Sequence, residues 1–397
     1  MKATVRSFGD TELGRMELEE KIGALRVLAY PHMPEVREAD FYSSVYDWFG
    51  NHPLSEQVYR WVAVTDDGRV VGHLSGTPQY YRINGQRVAA HTPGDYMVHP
   101  QYGFYAVSLM RKFFRTVENC VACDMLPSVI GVETRLGAEE AGAMQYGIKL
   151  LDVARIPTPP LPEPLARLLK LGADRQDQSD ESAGDPQVQE APRTRPRLPL
   201  PQPVKNILNG GLKTLDDALG RAFGGGLEAE VVQSFDDSFD ELFEEVAANV
   251  ACVPEKDAAF LRWRYGPDSP QHPVTVIGVK DGEKLLGYAV LKTTIGMDGY
   301  ILDLITLPGR RDVSRALLRE AVRSFRKFGT HIIRYRFKES SFSAHREDLW
   351  RLGFFQRGKR LNRLITKFAD PGLHAVARDI GNWSYNVGDG EASFWTR

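Results

Sequence analysis

The chain has 397 residues, enough for about two domains at roughly 150 residues each. Hydrophobic residues make up 42% and charged residues 26%, and the formal net charge of −2 provides no global positive field for DNA or anionic lipid. No stretch is apolar enough to be a signal peptide or a membrane span, so we expect a cytoplasmic protein without a membrane-spanning helix.

The first half begins with a charged helix, GRMELEEKIGALRVLAYPH, and continues as an antiparallel meander. Asp67-Gly68 and Asn84-Gly85 are strong hairpin signals between three predicted strands, the last ending in GDYMV. From Ala106 onward, apolar residues recur at helical spacing. The strand NCVACDML, a helix over about 134–146 and a last strand, GIKLLDVARI, complete the predicted order.

Cys120 and Cys123 form a C-x-x-C motif, but the pair lies within a predicted strand. A redox motif needs this spacing at a helix N-terminus, and a zinc site needs a second pair of ligands. His73 and His91 likewise have no third ligand at a suitable spacing. We therefore expect structural cysteines and no metal site.

The composition changes between about 157 and 205, where the chain is rich in proline and polar residues. Residues 174–203 contain almost no large apolar side chains, so we interpret them as a disordered or extended linker. The next segment, VKNILNGGLKTLDDALGRAFGGG, has leucines at helical spacing. We interpret it as a helix docked on a domain, with a membrane-surface helix as the alternative.

The second half repeats the element order of the first. A charged helix, FDDSFDELFEEVAANVACV, precedes the meander VTVIGVKDGEKLLGYAVLKTTIGMDGYILDLITLP, and the helix DVSRALLREAVRSFRKFG follows it. Strand HIIRYRF, helix SAHREDLWRLG and strand FFQRG come next. This repeat predicts an α+β protein with two domains, 1–160 and 204–397, each a twisted mixed sheet flanked by helices.

With this element order, each half resembles the GNAT (acyl-CoA N-acyltransferase) fold. VGHLSGTPQYY and LLGYAVLKTT are similar to its second and third strands, and YMVHPQYG is similar to its fourth strand and the start of its pyrophosphate loop. Tyr146-Gly147-Ile148 and Leu352-Gly353-Phe354 resemble the L-G-F that follows the fourth helix. The resemblance covers most of the chain outside the linker.

The resemblance implies an acyl-CoA, acetyl-CoA foremost, bound where the fourth strand of the first half meets the next helix. The family loop, V-x-P-x-x-R-G-x-G-[GA], uses glycines so that backbone N–H groups approach a pyrophosphate closely. Here Val98-His99-Pro100 fits the pattern, but Gly103 alone remains of the glycines, and an ordinary strand–helix connection is the alternative. The implied coenzyme residues are Met97, Val98, Gln101, Tyr102, Gly103, Phe104, Tyr105 and Ala106.

In the second half, Pro308-Gly309 is followed by Arg310 and Arg311. The two arginines could meet phosphates as point charges, but we favour a solvated helix start. Neither half has the full family loop. The first half is therefore the preferred coenzyme domain.

Acyl transfer to an amine needs a proton acceptor and a proton donor. The resemblance implies a carboxylate base on the fourth or fifth strand, which makes Asp95 the first candidate and Asp303 its counterpart in the second half. Asp124 and Glu133 are further candidates. The family acid is typically a tyrosine four residues before the glycine of L-G-F, where the motifs above place Ala143 and Leu349, so Tyr146 is the remaining candidate, with a packing role as its alternative.

The implied function is transfer of an acyl group, acetyl foremost, from CoA to a primary amine of a small molecule or peptide. Two alternatives stay open, and the sequence leaves the oligomeric state unknown. One is an aminoacyl-tRNA or acyl-carrier donor, which would use the basic helix formed by Arg310, Arg311, Arg315, Arg319, Arg323, Arg326 and Lys327. The other is a non-catalytic binding module, since the glycines and the tyrosine are missing.

Overall fold

The computed structural model of the chain describes residues 2–11, 13–31, 39–153, 202–358 and 361–394. Its strands are β1 (Ala3–Ser7), β2 (Tyr59–Thr65), β3 (Val70–Ile83), β4 (Gln86–Val98), β5 (Cys120–Asp124), β6 (Glu139–Ala143), β7 (Gln145–Leu150), β8 (Glu230–Val231), β9 (Cys252–Pro254), β10 (Thr275–Asp281), β11 (Lys284–Thr293), β12 (Asp298–Thr306), β13 (Ile332–Phe337), β14 (Phe355–Gln356) and β15 (Arg363–Lys367).

Helices accompany the strands in both halves. They are α1 (Arg15–Ala29), α2 (Ala39–Phe49), α3 (Tyr105–Thr116), α4 (Pro127–Arg135), α5 (Gln202–Phe223), α6 (Asp237–Ala247), α7 (Ala258–Tyr265), α8 (Arg311–Lys327), α9 (Arg346–Arg351) and α10 (Pro371–Ala377). The first sheet has the spatial order β1-β2-β3-β4-β5-β15-β6, with β9 paired to β3, and the second has the order β14-β7-β13-β12-β11-β10-β8. Both sheets are mixed, and the predicted α+β class is confirmed.

The predicted hairpins are present. Asn84 and Gly85 both have positive φ, +49° and +76°, as a two-residue hairpin turn of this type requires. Gly68 and Gly282 have φ of +79° and +60° at the other two Asp-Gly turns. Turn chemistry therefore sets the register of the β2-β3, β3-β4 and β10-β11 pairs.

The two halves exchange a strand with each other. β7, from the first half, lies between β13 and β14 in the second sheet, and β15, from the second half, lies between β5 and β6 in the first. The prediction that GIKLLDVARI closes the sheet of its own half is therefore wrong, although the segment is a strand. Each sheet is completed by the other half of the chain.

The predicted helix over about 134–146 is also wrong. α4 ends at Arg135, and the backbone turns at Gly137, where φ is +90°. Residues 139–143 form β6, with a second glycine, Gly142, at φ +151°. The Ala- and Glu-rich composition favours a helix locally, but glycines with left-handed φ end it and allow pairing with β15.

Helix α5 docks on the second sheet's side of the molecule, as predicted. Its Asp216 is buried and pairs with Lys149 of β7 at 2.6 Å and with Arg326 of α8. α5 starts at Gln202, so the last two residues of the predicted linker are helical, while residues 174–201 lie outside the described chain. Among the described helices, none has the length and apolarity needed to cross a bilayer.

The two cysteines of the C-x-x-C motif lie on β5 and belong to different apolar clusters. Cys120 packs with the cluster that contains Phe113, and Cys123 packs with the cluster that contains Trp383. Burial raises the pKa of both thiols, that of Cys123 to about 12. Neither is a reactive thiolate at neutral pH, in keeping with the structural interpretation.

Candidate active site

The fourth and fifth strands of the first sheet separate soon after they meet. They pair at His91 and Cys120, where the His91 N–H donates to the Asn119 carbonyl at 2.9 Å. The Thr92 hydroxyl then donates to the Val121 carbonyl at 2.7 Å. Beyond this point, no described strand pairs with this edge of β4. A gap, which we call the first gap, therefore opens between the C-terminal ends of β4 and β5.

A β-bulge redirects the backbone of β4 within the first gap. Asp95 has φ of +46°, and the register of β4 against β3 shifts between His73 and Ser75. The Asp95 N–H donates to Oε1 of Glu391 at 2.9 Å, so it faces away from β3. The bulge thus presents a backbone donor at the position where the strands part.

A second backbone donor follows toward the end of β4. The His99 N–H donates to the Val71 carbonyl at 2.9 Å. Because N–H groups of an antiparallel strand alternate between its two sides, the Met97 N–H points toward β3 and the Val98 N–H points into the first gap. Of the two amides predicted from the sequence, that of Val98 faces the first gap and that of Met97 faces β3.

The turn between β4 and α3 is a short 3-10 helix, Pro100–Tyr102. Its Tyr102 N–H donates to the His99 carbonyl at 2.8 Å, and the exposed Gln101 donates its N–H to Nδ1 of His99 at 3.2 Å. Gly103 has an ordinary φ of −51°, and a Cβ added there would meet its nearest neighbour at 3.8 Å. The fold itself does not require this glycine, so the space beside it is available to a ligand.

The first turn of α3 contains the remaining predicted coenzyme residues. Phe104 is 63% exposed, whereas Tyr105 is buried and its hydroxyl accepts the Ala3 N–H. The Ala106 N–H donates to the Gly103 carbonyl at 3.1 Å. Phe104 therefore lies at the surface, while Tyr105 ties the helix to β1.

Asp95 lies in a buried ion-pair network. Its carboxylate accepts hydrogen bonds from Arg26 at 2.5 Å and from the Tyr46 hydroxyl at 2.7 Å, and its Oδ2 lies 3.2 Å from Nδ1 of His73. Burial acts to raise the pKa of Asp95, but Arg26 and His73 hold it well below its ordinary value. A carboxylate held in this way is a poor proton acceptor, so the geometry favours an anchoring role between α1, α2 and β4.

The fourth helix ends earlier than the motif comparison indicated. Leu136-Gly137-Ala138 follows α4 directly and takes the place of the family's L-G-F, so assigning that motif to Tyr146-Gly147-Ile148 is wrong. Tyr146 lies on β7 in the second sheet, where its hydroxyl accepts a hydrogen bond from Arg334 at 2.7 Å. The structure thus separates Tyr146 from the first gap's sheet.

The residue four positions before Gly137 is Glu133, and it is fully buried at 0% exposure. Neither carboxyl oxygen has a hydrogen-bond partner among the described residues. Burial, with a smaller contribution from Asp124, raises the pKa of Glu133 to about 8, so the group is mostly protonated at neutral pH. Burial raises the pKa of Tyr96 on β4 and of Cys120 on β5, and Glu133 contributes to both shifts.

Two more side chains complete this corner of the first gap. The Tyr96 hydroxyl is buried and, within the described chain, also lacks a partner. Asp124 accepts the N–H groups of Met125 and Leu126 at 2.6 and 2.7 Å, which fixes the start of α4. The sequence offered Glu133 only as a further candidate for the base; counted from Gly137, it occupies the position at which the family's tyrosine acid is expected.

The corresponding gap in the second sheet is occupied by the chain itself. β12 and β13 pair as far as Ile301 and Tyr335 and then part. In this second gap, Asn386 bridges to Phe337 of β13, and its Nδ2 donates to Asp303 of β12 at 2.8 Å. The segment 384–389 therefore fills the space between the two strands.

Asp303 is part of the network that holds this segment. Its carboxylate accepts hydrogen bonds from Lys256 at 2.7 Å, from the Tyr288 hydroxyl at 2.9 Å and from Asn386. Lys256 also pairs with Asp389 at 2.9 Å. Burial alone would lower the pKa of Lys256, but the two carboxylates raise it above its ordinary value. Asp303 thus anchors the C-terminal segment.

Most arginines of the basic helix are engaged within the chain. Arg310 pairs with Asp312 at 2.8 Å, and Arg311 with Asp348 at 2.8 Å. Arg319 donates to the Gly225 carbonyl at 2.7 Å, while Arg326 pairs with Asp216. In the described structure, α8 therefore does not present a continuous basic face.

A cleft of about 700 Å³ lies between α1 and α2. It extends inward to Arg26, the partner of Asp95, and therefore reaches the bulge from the side of the two helices. Its charged lining residues are Arg15, Glu19, Glu20, Arg26, Asp40 and Asp47. Of the four carboxylates in this lining, Asp47 is paired with Arg15 and Glu19 with Arg60, each at 2.5 Å.

No protein-family model and no curated protein matches the chain. Solved structures do match. A GCN5-related N-acetyltransferase from Anabaena variabilis aligns with 94% of this chain and 75% of its own, with a TM-score of 0.53 and 13% identity. A probable N-acyltransferase from Enterococcus faecalis aligns over the same shares, with a TM-score of 0.51 and 11% identity. Saccharomyces cerevisiae N-myristoyltransferase, solved with myristoyl-CoA, aligns with 98% of this chain and 85% of its own, with a TM-score of 0.52 and 11% identity.

These alignments span both sheets and agree with the element order read from the sequence. The chain has the GNAT fold in two units, as predicted. At this level of identity the likeness establishes the fold alone, and the chemistry has to be argued from the residues.

Proposed function

We propose that the chain is an acyl-CoA-dependent N-acyltransferase with its reaction centre in the first gap. The observation that carries the proposal is Glu133, a buried and mostly protonated carboxyl group without a partner among the described residues, on the helix that follows β5. A neutral carboxylic acid can donate a proton to a departing thiolate. The same gap exposes the Val98 N–H, which can stabilise the oxyanion that forms on a thioester carbonyl.

The other residues of the first unit fit this chemistry. The start of α3, with the positive end of the helix dipole and the space beside Gly103, suits the pyrophosphate of CoA. The cleft between α1 and α2 suits a cationic amine, from a small molecule or a peptide, approaching the opposite side of β4. We propose acetyl-CoA as the first donor to test.

Atoms balance with these roles. The amine nitrogen forms a bond to the thioester carbon, the C–S bond breaks, and Glu133 protonates the thiolate. Of the two protons that the acceptor ammonium loses, one reprotonates Glu133 and the other leaves to solvent. Two of the three cysteines are fully buried, and none of them forms a disulfide, so we propose the reducing cytoplasm as the compartment.

The second unit serves a structural role in this proposal. Its gap is filled by residues 384–389, and the residue four positions before Gly353 is the buried Leu349, which cannot donate a proton. Since the arginines of α8 are engaged internally, a tRNA or carrier donor is the less favoured alternative.

Acetyl-CoA binding and turnover test the proposal directly. Calorimetry on the full chain should show saturable binding of acetyl-CoA, and a thiol assay should show CoA release that depends on an added primary amine. Binding without release, for any amine in a broad panel, would identify a non-catalytic module. Release that needs added tRNA or carrier protein would instead support the other donor.

A further inference from the structure

The C-terminal segment reaches the first gap as well as the second. Glu391 begins the short 3-10 helix Glu391–Ser393, and its Oε1 accepts the Asp95 N–H at 2.9 Å. The two residues are 296 positions apart in sequence. A carboxylate from the second half of the chain therefore lies on the bulge of β4.

The second unit holds this segment in place. Arg264 donates to the Ser393 hydroxyl at 2.5 Å, and that hydroxyl donates to the Gly390 carbonyl at 2.7 Å. Just upstream, Asp389 pairs with the buried Lys256 at 2.9 Å. Because its backbone is fixed on both sides, Glu391 has little freedom to leave the bulge.

Gly94 provides the space that Glu391 occupies. A Cβ added at Gly94 would collide with the Glu391 side chain and would lie 2.8 Å from its Oε1. Gly94 is not among the glycines with positive φ, so its backbone does not itself require glycine. The absence of a side chain at this position serves the close approach of Glu391.

The two carboxylates at the bulge differ in what they can do. Asp95 is 5% exposed on its side chain and is held by Arg26, Tyr46 and His73, whereas Glu391 is partly exposed and lies on the gap side of the strand. An amine acceptor is protonated at neutral pH and has to lose a proton before it attacks. Glu391 is better placed than Asp95 to receive that proton.

We propose that Glu391 is the proton acceptor for the amine, working through water, and that the second half of the chain thereby completes the active site of the first. This inference rests on the proposed function. The acceptor ammonium gives one N–H proton to the Glu391 carboxylate, which passes it to solvent, and the freed lone pair attacks the thioester carbon. The lone pair on nitrogen becomes the new C–N bond, and the electrons of the C–S bond leave on sulfur, which Glu133 protonates.

The charged and titratable groups around Glu391 define the background of its pH behaviour. Asp95 and Arg26 lie behind the bulge, Tyr30 approaches from α1, and Asp124 lies at the end of β5. Burial raises the pKa of Tyr30, and Asp95, Glu391 and Asp124 raise it further, so Tyr30 stays protonated. Burial raises the pKa of Asp124, while hydrogen bonds from the Met125 and Leu126 N–H groups oppose that rise, and Arg26 and His73 hold the pKa of Asp95 low.

Acceptors of different basicity test this role. A Glu391→Gln variant keeps the oxygen that accepts the Asp95 N–H but loses the basicity. With a lysine side-chain amine (pKa about 10.4), kcat should fall about 10²-fold near neutral pH. With a peptide α-amine (pKa about 8), the fall should be smaller, since more free amine is present. Raising the pH should restore part of the rate, and KM for acetyl-CoA should not change.

Gly94→Ala provides an independent test, because it should displace the Glu391 carboxylate without changing any charge. It should reproduce the kcat loss and the acceptor dependence while leaving acetyl-CoA affinity intact. Glu118→Gln, at an exposed position, is the matched control and should behave like the unaltered chain. Circular dichroism melts establish that each variant is folded.

Two outcomes distinguish a failure of the Glu391 role from a failure of the proposed acyltransferase function. If the unaltered chain turns over acetyl-CoA and Glu391→Gln loses the same factor with both amines at every pH, or loses nothing, Glu391 is not the proton acceptor. If the unaltered chain neither binds acetyl-CoA nor releases thiol, the proposed function fails and this inference with it.

Discussion

The two gaps of this protein start from the same geometry and differ in how far the C-terminal segment fills them. In both sheets a parallel pair of strands meets and then parts, and an aspartate, Asp95 or Asp303, lies on the first strand of the pair. In the first gap no described strand pairs with β4 beyond Thr92, and residues 390–393 enter it only far enough for Glu391 to accept the Asp95 N–H. The second is filled by the chain, and its aspartate fastens the filling. The fold provides a pair of strands that separate in each sheet, and the local residues determine how far the chain itself fills the gap between them.

Both aspartates, Asp95 and Asp303, form buried ion pairs that stabilise the fold. Asp95 pairs with Arg26, and Asp303 with Lys256, both deep inside the protein. Breaking a buried pair leaves an uncompensated charge in an apolar environment, which is costly. In each unit the aspartate therefore acts first on stability, and the catalytic groups have to be sought beside it.

The largest effect on stability should come from the buried ion pairs of Lys256 in the second gap. Lys256→Met would leave Asp303 and Asp389 buried without their cation, so we expect the free energy of unfolding to fall by about 3–5 kcal/mol. Urea unfolding at neutral pH measures this loss, which should shrink as lower pH protonates the carboxylates. Lys112→Met, at an exposed position on α3, should change stability by less than about 0.5 kcal/mol. A loss below about 1 kcal/mol for Lys256→Met would contradict the anchoring role.

Glu133→Gln should lower kcat about 10²-fold, because the amide cannot give a proton to the thiolate. It should also stabilise the protein. Folding raises the pKa of Glu133 from 4.5 to about 8, so the folded state keeps a proton that the unfolded state loses as the pH rises through this window. Wild-type stability therefore declines by up to about 5 kcal/mol between these pH values, and the variant should lack that decline.

Single-turnover thiol release and urea unfolding at several pH values check both parts of the Glu133 prediction. Leu349→Met, at the matched position of the second unit, is the control and should leave kcat unchanged. If Glu133→Gln and the unaltered chain had equal activity, Glu133 would not be the proton donor.

Gly103→Val should weaken acetyl-CoA binding at least tenfold, or about 1.4 kcal/mol, by filling the space beside the start of α3. The φ of −51° accepts valine, so the fold should tolerate the change. Gly309→Val, at φ +70° in the second unit, should cost about 1–2 kcal/mol of stability while leaving the affinity unchanged. Calorimetry and thermal unfolding measure the two quantities, and the reverse pattern of affinities would move the coenzyme to the second unit.

The smallest effect should follow from cleavage between residues 154 and 201. Because β7 and β15 each lie in the sheet of the other half, the two fragments should remain associated and keep their circular dichroism spectrum. Size-exclusion chromatography of the nicked protein checks this. Elution of two separate folded fragments would show that the exchange contributes little.

Sequence patterns predicted much of the fold because hairpin turns and helical periodicity are local properties. They did not predict the partners of β7 and β15, since alternation tells which face of a strand is buried and not which strand lies beside it. The prediction of the site residues was limited in the same way. The turn at Gly103 is local, but Arg26 lies 69 positions from Asp95, and Glu391 lies 296 positions from it. Such contacts carry no signal in a single sequence.

The exchange of β7 and β15 also sets an order of events during synthesis. When β6 leaves the ribosome, β15 has not yet been synthesised, so the edge of β5 that will pair with β15 is unpaired. β7 also lacks its partner strands, because the second sheet is synthesised later. The nascent first half therefore carries unpaired strand edges until residues 363–367 emerge, a state that invites chaperone binding. Glu391 follows only after that. A product truncated before residue 363 would lack both the closing strand and the proposed proton acceptor, so the proposed activity requires residues 363–393.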